Sequence, residues 1–276
     1  MTQEHAFRFG RAQHLIGIAG MPEQLSEGLG VIVLNAGLVH RVGPFRLHVE
    51  LARRLNASGY ATLRFDLSTV GDSAASEESQ TREQQVCADV DDAMRLLGEQ
   101  AGCTRFVLIG LCSGAQNAHT VATTHPKIAG VVFLDGYAWR TFGYTLRRYL
   151  PRLLHPANWR RVLTHRRHKA EIMAGEPVFS VAPLPAAVVR KDLADMLARG
   201  IKLCLIYSGG ISNYFNHVRQ FRECFGRLVN HPGISTHFFA ETDHTYILTG
   251  DRRRLIDTIE RWVTRQFPVT HAGAAS

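Results

Sequence analysis

Eight short apolar runs, several rich in β-branched residues, punctuate the chain, with helix-patterned segments between most of them. This alternation constrains the fold more than any other feature of the sequence. GVIVLN (30–35), ATLRFD (61–66), TRFVLIG (104–110), IAGVVFLDG (128–136), KLCLIYSGG (202–210) and ISTHFFAE (234–241) read as strands, the first of them in the pattern of a fully buried one. AFRFG and LIGIAG, near the start, read as a hairpin. Between the strands, Leu47, Leu51, Ala52 and Leu55 fall at helical spacing before a stop at Gly59, and Val86, Val90, Ala93, Met94 and Leu97 mark one helical face. A further helix is expected over 113–124. Val189, Leu193, Met196 and Leu197 stripe a helix ending at Gly200, and Leu255, Ile259, Trp262 and Val263 stripe the closing helix. Strands apolar on both faces that alternate with helices predict a mainly parallel central sheet covered by helices on both sides.

The alternation fails over residues 137–185, where no strand pattern occurs. A long insertion after a strand is commonly a lid or binding element. The expected organisation is one α/β domain, with core segments 1–136 and 198–276 and a helical lid over 137–197. At 45% apolar residues, a chain of 276 has material for a substantial core. No apolar run approaches the length of a membrane span, and the first residues contain no secretory core, so a cytoplasmic protein is expected. The five cysteines include no C-x-x-C pair, which argues against a disulfide framework or a zinc site. No metal or organic cofactor is expected.

GLCSGA (110–115) lies at the turn from strand 104–110 into helix 113–124. A nucleophile elbow follows the pattern small-x-nucleophile-x-small, because the turn brings strand and helix backbones close together. Centred on Cys112, the flanking residues are Gly110 and Gly114, and both fit. Centred on Ser113, they are Leu111 and Ala115, and the leucine does not. The spacing selects Cys112, with the Ser113 amide aimed at a developing oxyanion. A helix N-terminus lowers a thiol pKa, which favours the attacking thiolate. The competing reading is a glycine-rich turn around a buried thiol.

With these residues in view, the chain resembles the α/β-hydrolases over roughly residues 1–267. GYATLRFDLSTVGDS (59–73) is similar to the G-x-x-V-x-x-x-D-x-x-G-x-G-x-S region of serine aminopeptidase-like hydrolases. VLNAGLVHRVGPFRLHVELARRLNASGY (33–60) together with GLCSGA is similar to hydrolases encoded beside exosortase systems. Cysteine at the elbow is a feature shared with dienelactone hydrolases and polyhydroxyalkanoate synthases, which resemble this chain at the elbow alone. The resemblance implies a general base after the last strand, and His244 in TDHTY occupies that place. The acid is the departure, since the loop after 202–210 reads ISNYFN and holds no carboxylate. Asp135, at the end of the preceding strand, is the expected orienter of His244, with Asn213 or no third member as rivals. Asp243 is expected to fix the His244 loop, and Asp66 and Asp72 to brace the sheet edge. His119, on the helix after the elbow, is expected to be structural. Gly37 and Leu38, after strand 30–35, are the candidate second oxyanion donors, and His40 is a candidate substrate contact.

Net charge is +8, and its placement is informative. Nine of the 32 Lys and Arg, among them Arg147, Arg148 and Arg152, lie in residues 136–170, which contain no acid; the other 23 face 24 Asp and Glu. A solvated basic lid is the plain reading of this segment. Docking of an anionic acyl carrier protein or of coenzyme A through Arg147, Arg148 and Arg152 competes with it, and contact with a membrane surface is a weaker variant. Nucleic acid binding has nothing else to support it. The expected activity is acyl transfer through a Cys112 thioester, as hydrolase, thioesterase or acyltransferase. The alternative is a non-catalytic binding module on the same fold.

Overall fold

The computed structural model describes residues 3–23, 28–76, 79–153 and 184–269. Its sheet has eight strands: β1 (Gln3–Phe9), β2 (Leu15–Met21), β3 (Leu29–Leu34), β4 (Ala61–Phe65), β5 (Arg105–Leu111), β6 (Ile128–Leu134), β7 (Lys202–Ser208) and β8 (Ile234–Phe239). Their spatial order is β1-β2-β4-β3-β5-β6-β7-β8. β1 and β2 form the expected antiparallel hairpin, and β2 runs antiparallel to β4. All pairings from β4 through β8 are parallel. Strands β3 to β7 are buried at nearly every position, because helices cover both faces, and this is why their sequences read as unbroken apolar runs.

Helices α1 (Leu47–Ala57) and α7 (Thr249–Gln266) cover one face, where Leu47, Leu51, Leu55, Leu255, Ile259 and Trp262 join a single cluster. Helices α2 (Arg82–Ala101), α3 (Ser113–Thr124) and α5 (Ala186–Ala198) cover the other. α2 starts on a reciprocal capping box between Thr81 and Gln84 and stops at Gly102, in the left-handed region at φ 62°. α4 (Phe142–Leu153) and the short α6 (Gln220–Phe225) complete the described helices. Among the described residues no helix is long and apolar enough to cross a membrane.

The lid boundary expected at residue 197 is corrected by the packing of α5. Val189, Leu193, Met196 and Leu197 are buried in the same cluster as α2 and α3, so α5 is a core crossover helix. Parallel β6 and β7 need a crossover, and a helix on the sheet face supplies it. Residues 154–183, with Arg160, Arg161, Arg166, Arg167 and Lys169, lie outside the described residues, as does the side chain of Arg152.

The chain leaves β3 toward β4 on one side and then returns past β3 to β5 on the other. Strand order therefore reverses between β3 and β5. Open α/β sheets bind ligands in the crevice beyond the carboxyl ends of the strands at such a switch point. Cys112 follows β5 at that edge, and residues 35–43 follow β3.

Candidate active site

The elbow at Cys112 is built from backbone constraints. Cys112 has φ 57° and ψ −116°, a strained conformation for a residue with a Cβ. Its N–H donates to Leu134 O at 2.8 Å, and its carbonyl accepts from Ala115 N at 3.0 Å, so β6 and the first turn of α3 hold the bend from both sides. A Cβ on Gly110 would stand 2.1 Å from Gly114 O, and one on Gly114 would stand 2.5 Å from Asn35 O. Both flanking positions therefore require glycine, which is the physical content of the sequence pattern.

Cys112 is exposed, whereas Cys103, Cys204 and Cys224 are buried and Cys87 is half-buried. The His244 imidazole, through hydrogen bonding, is the largest influence on the Cys112 thiol and holds it below its ordinary range against the opposing effect of burial; the Ser113 N–H adds to the lowering. Burial raises the other four thiols, Cys103 to about 11. His244 is pushed up to about 10, first by its hydrogen bond to Asp135 and then by the bond to Cys112. These directions favour a thiolate–imidazolium pair at neutral pH.

His244 Nδ1 donates to Asp135 Oδ2 at 2.7 Å. Asp135 is buried, and Ser208 satisfies the rest of its carboxylate: the Ser208 N–H donates to Oδ1 at 2.6 Å and its hydroxyl to Oδ2 at 2.7 Å. Ser208 ends β7, the strand whose following loop lacks a carboxylate. Adjacent strands thus divide the task, β6 supplying the carboxylate that holds His244 and β7 the group that fixes that carboxylate. Gly209 and Gly210 let the histidine loop close over this edge, since Cβ atoms there would stand 1.9 Å from Ala240 O and 2.2 Å from His244 N. Asp243 holds that loop, accepting from Thr245 N at 2.7 Å and Ile247 N at 3.0 Å. Asn213, the rival third member, is exposed and turns its carbonyl to Tyr144 and Arg140.

A family model described as the alpha/beta hydrolase family matches residues 31–274. The chain belongs to the alpha/beta hydrolase family. Among solved structures, this hydrolase-family chain is similar to an esterase from Pyrococcus furiosus (14% identity over 97% of this chain and 91% of that one, TM-score 0.61). It is also similar to a lidless serine hydrolase from Xanthomonas campestris (14%, 98% and 96%, TM-score 0.57) and to a proline iminopeptidase from Mycobacterium smegmatis (16%, 96% and 98%, TM-score 0.57). At these identities the likeness is one of fold. Among curated proteins no sequence matches this one.

The loop after β3 in this α/β-hydrolase departs from expectation at one atom. The Gly37 N–H, a candidate donor to substrate, donates instead to Ser113 Oγ at 2.6 Å. Leu38 follows with an exposed side chain. His40 is exposed, accepts the Val42 N–H at 3.4 Å, and has no hydrogen bond or ion pair to Cys112, Asp135 or His244. The loop is braced from beneath by fully buried Asp66, which accepts from Asn35 Nδ2, the Arg41 N–H and guanidinium, and the Asp72 N–H. Asp72 pairs with Arg41 at 2.7 Å. Both aspartates therefore brace the sheet edge. His119 is buried, edge-on to Tyr137 and 3.2 Å from Asp192, and no hydrogen bond or ion pair joins it to Cys112 or His244.

Arg147 and Arg148, expected to meet a partner, face inward contacts. Arg147 makes a two-pronged ion pair with Glu223 (2.7 and 3.0 Å), and Arg148 donates to Ser212 O and Tyr144 Oη, both at 2.9 Å. Counting cations along the sequence missed Glu223 because it lies on α6. The pair ties α4 to α6, so Arg147→Ala should cost about 1 kcal/mol of stability for a pair this partly exposed. Urea unfolding checks the loss, and KM for a small acyl ester should stay at its wild-type value.

One residue of the site, Ser208, escaped sequence reasoning, since nothing in KLCLIYS separates a strand-end serine from any other. Among the described residues no cluster of three His, Cys, Asp or Glu is arranged to hold a metal ion.

Proposed function

We propose that this α/β-hydrolase carries out acyl transfer through a covalent thioester at Cys112. The observation that carries the reading is the juxtaposition, at one sheet edge, of an exposed, strained elbow cysteine with an imidazole that is itself held by a buried carboxylate. The Cys112 thiolate attacks the carbonyl carbon of an ester or thioester, and the π pair moves to oxygen. Collapse of the tetrahedral adduct restores the carbonyl and breaks the bond to the leaving group, which takes the proton from His244 Nε2. His244 then removes a proton from the acceptor as it attacks the thioester, and the second tetrahedral adduct collapses with cleavage of the C–S bond, releasing the acylated acceptor and the Cys112 thiolate. Asp135 keeps Nδ1 protonated and stabilises the imidazolium.

Leu38, after β3, and Ile247 and Leu248, after His244, are exposed apolar residues on the loops that carry Gly37 and His244, which favours an apolar acyl group. Water as acceptor makes the enzyme an esterase or thioesterase, and an amine or alcohol makes it an acyltransferase. Delivery by an acyl carrier protein or coenzyme A, like contact with a membrane surface, draws its support from cations outside the described side chains, because Arg147 and Arg148 are engaged internally. Against a non-catalytic binding module stands the carboxylate of Asp135 at the end of β6, bonded to His244 where the loop after β7 offers none.

Intact-mass measurement after brief exposure to p-nitrophenyl butyrate tests the proposal. A single butyryl adduct on Cys112, discharged by water or an added amine, is the expected result. Turnover of the ester with no adduct on Cys112 at any time, or none of either, would overturn it.

A further inference from the structure

The Gly37–Ser113 bond raises a question about how the oxyanion is held. Two donors normally serve it in this fold: the amide of the residue after the nucleophile and an amide of the loop after the strand equivalent to β3. The first is in place, since Ser113 is the first residue of α3, directly after Cys112, and its N–H lowers the thiol. On the loop, the Gly37 N–H is committed at 2.6 Å to Ser113 Oγ. In that bond the hydroxyl oxygen accepts, so the hydroxyl proton remains to be donated. Among the described residues no acceptor is hydrogen-bonded to it.

We propose that the Ser113 hydroxyl is a catalytic residue, donating a hydrogen bond to the tetrahedral oxyanion and taking the place of the Gly37 amide. This rests on the acyl-transfer reading of Cys112. When the thiolate attacks and the π pair moves to the carbonyl oxygen, that oxygen accepts two hydrogen bonds from one residue, the Ser113 N–H and Oγ–H. No proton is transferred from serine, and the bonds lapse as the carbonyl reforms. The Gly37 N–H acts at one remove, since a hydroxyl that accepts a hydrogen bond becomes a better donor. The geometry suits a fixed relay. Gly114 is pressed against Asn35 O, which sets the separation of the loop from the start of α3, while the Gly37 side of the loop has open space in front of it at φ 58°.

The rival role for the same bond is a plug, with Ser113 Oγ merely filling the place where substrate oxygen would meet Gly37. Substitution separates the two with p-nitrophenyl butyrate. Ser113→Ala should lower kcat by about 100-fold with KM changed by less than about threefold, the pattern of a donor used only in the transition state. Ser113→Thr, which keeps the hydroxyl, should recover most of the loss. Butyraldehyde, which forms a thiohemiacetal with Cys112, should bind Ser113→Ala about tenfold more weakly, one hydrogen bond being lost. The iodoacetamide rate at Cys112 should be unchanged in Ser113→Ala, because the amide beside the sulfur remains. An unchanged or higher kcat in Ser113→Ala, or equal losses in the alanine and threonine variants, would overturn the proposal. If instead Cys112→Ala keeps wild-type turnover, the acyl-transfer reading itself has failed, whatever Ser113 does.

Discussion

Replacing Cys112 with alanine should lower acyl transfer by about 10⁴-fold or more, because no other group at the elbow can take over a covalent step. Ser113 is adjacent, but its hydroxyl sits one residue along α3 and is engaged with Gly37. Cys112→Ser should retain more activity than the alanine variant and far less than wild type. A serine hydroxyl is un-ionised at neutral pH, whereas the native thiol is already held low by His244. The substitution should also lower the imidazole, whose elevation depends on Cys112 as well as Asp135. The checks are steady-state turnover of p-nitrophenyl butyrate and a ¹H–¹⁵N titration of the His244 ring. Alanine turnover within tenfold of wild type would place the nucleophile elsewhere.

Asp135→Asn should cost about 10²–10³ in kcat, less than the roughly 10⁴ seen when a serine triad loses its acid, because a thiolate needs less help from the base. The mechanism of the loss follows from Ser208. Its N–H and hydroxyl both donate to Asp135, so an asparagine there would turn its oxygen to Ser208 and its amide N–H to His244. Nδ1 must then accept, Nε2 carries the proton, and the ring presents the wrong tautomer to Cys112. The pH dependence has a definite sign. The largest cause of the imidazole elevation is the bond to Asp135, so its value of about 10 falls and the alkaline limb moves to lower pH. With the imidazolium less stable the thiol rises, and the acid limb moves to higher pH. The active window therefore narrows from both sides, which a kcat/KM profile measures directly.

The central strands were legible because burial on both faces leaves an unbroken apolar run, as in VIVL of β3 and VVFL of β6. The helices showed through their stripes, and the elbow through two glycines that backbone contacts demand. Asp135 was reachable by asking which strand ends at the same edge as Cys112. What stayed hidden depends on contacts between distant residues. Gly37 and Ser113 lie 76 residues apart, and Arg147 and Glu223 are also 76 apart, so neither engagement has a local signature. The role of α5 was misjudged for a different reason. Its apolar stripe predicts a buried helical face but does not say whether a sheet or a lid buries it.

The state of the Cys112 sulfur is the centre of the account, and alkylation by iodoacetamide as a function of pH, with the five cysteines followed separately by peptide mass, tests it most directly. At pH 6 an ordinary thiol is only about 0.3% ionised. Cys112 should label at least about tenfold faster than any other cysteine there, after allowance for the lower nucleophilicity of a low-pKa thiolate. Its rate should hold across neutral pH, and in His244→Ala it should fall to that of an ordinary thiol. Equal labelling of all five cysteines, or a Cys112 rate indifferent to His244, would contradict the thiolate–imidazolium pair and the chemistry built on it.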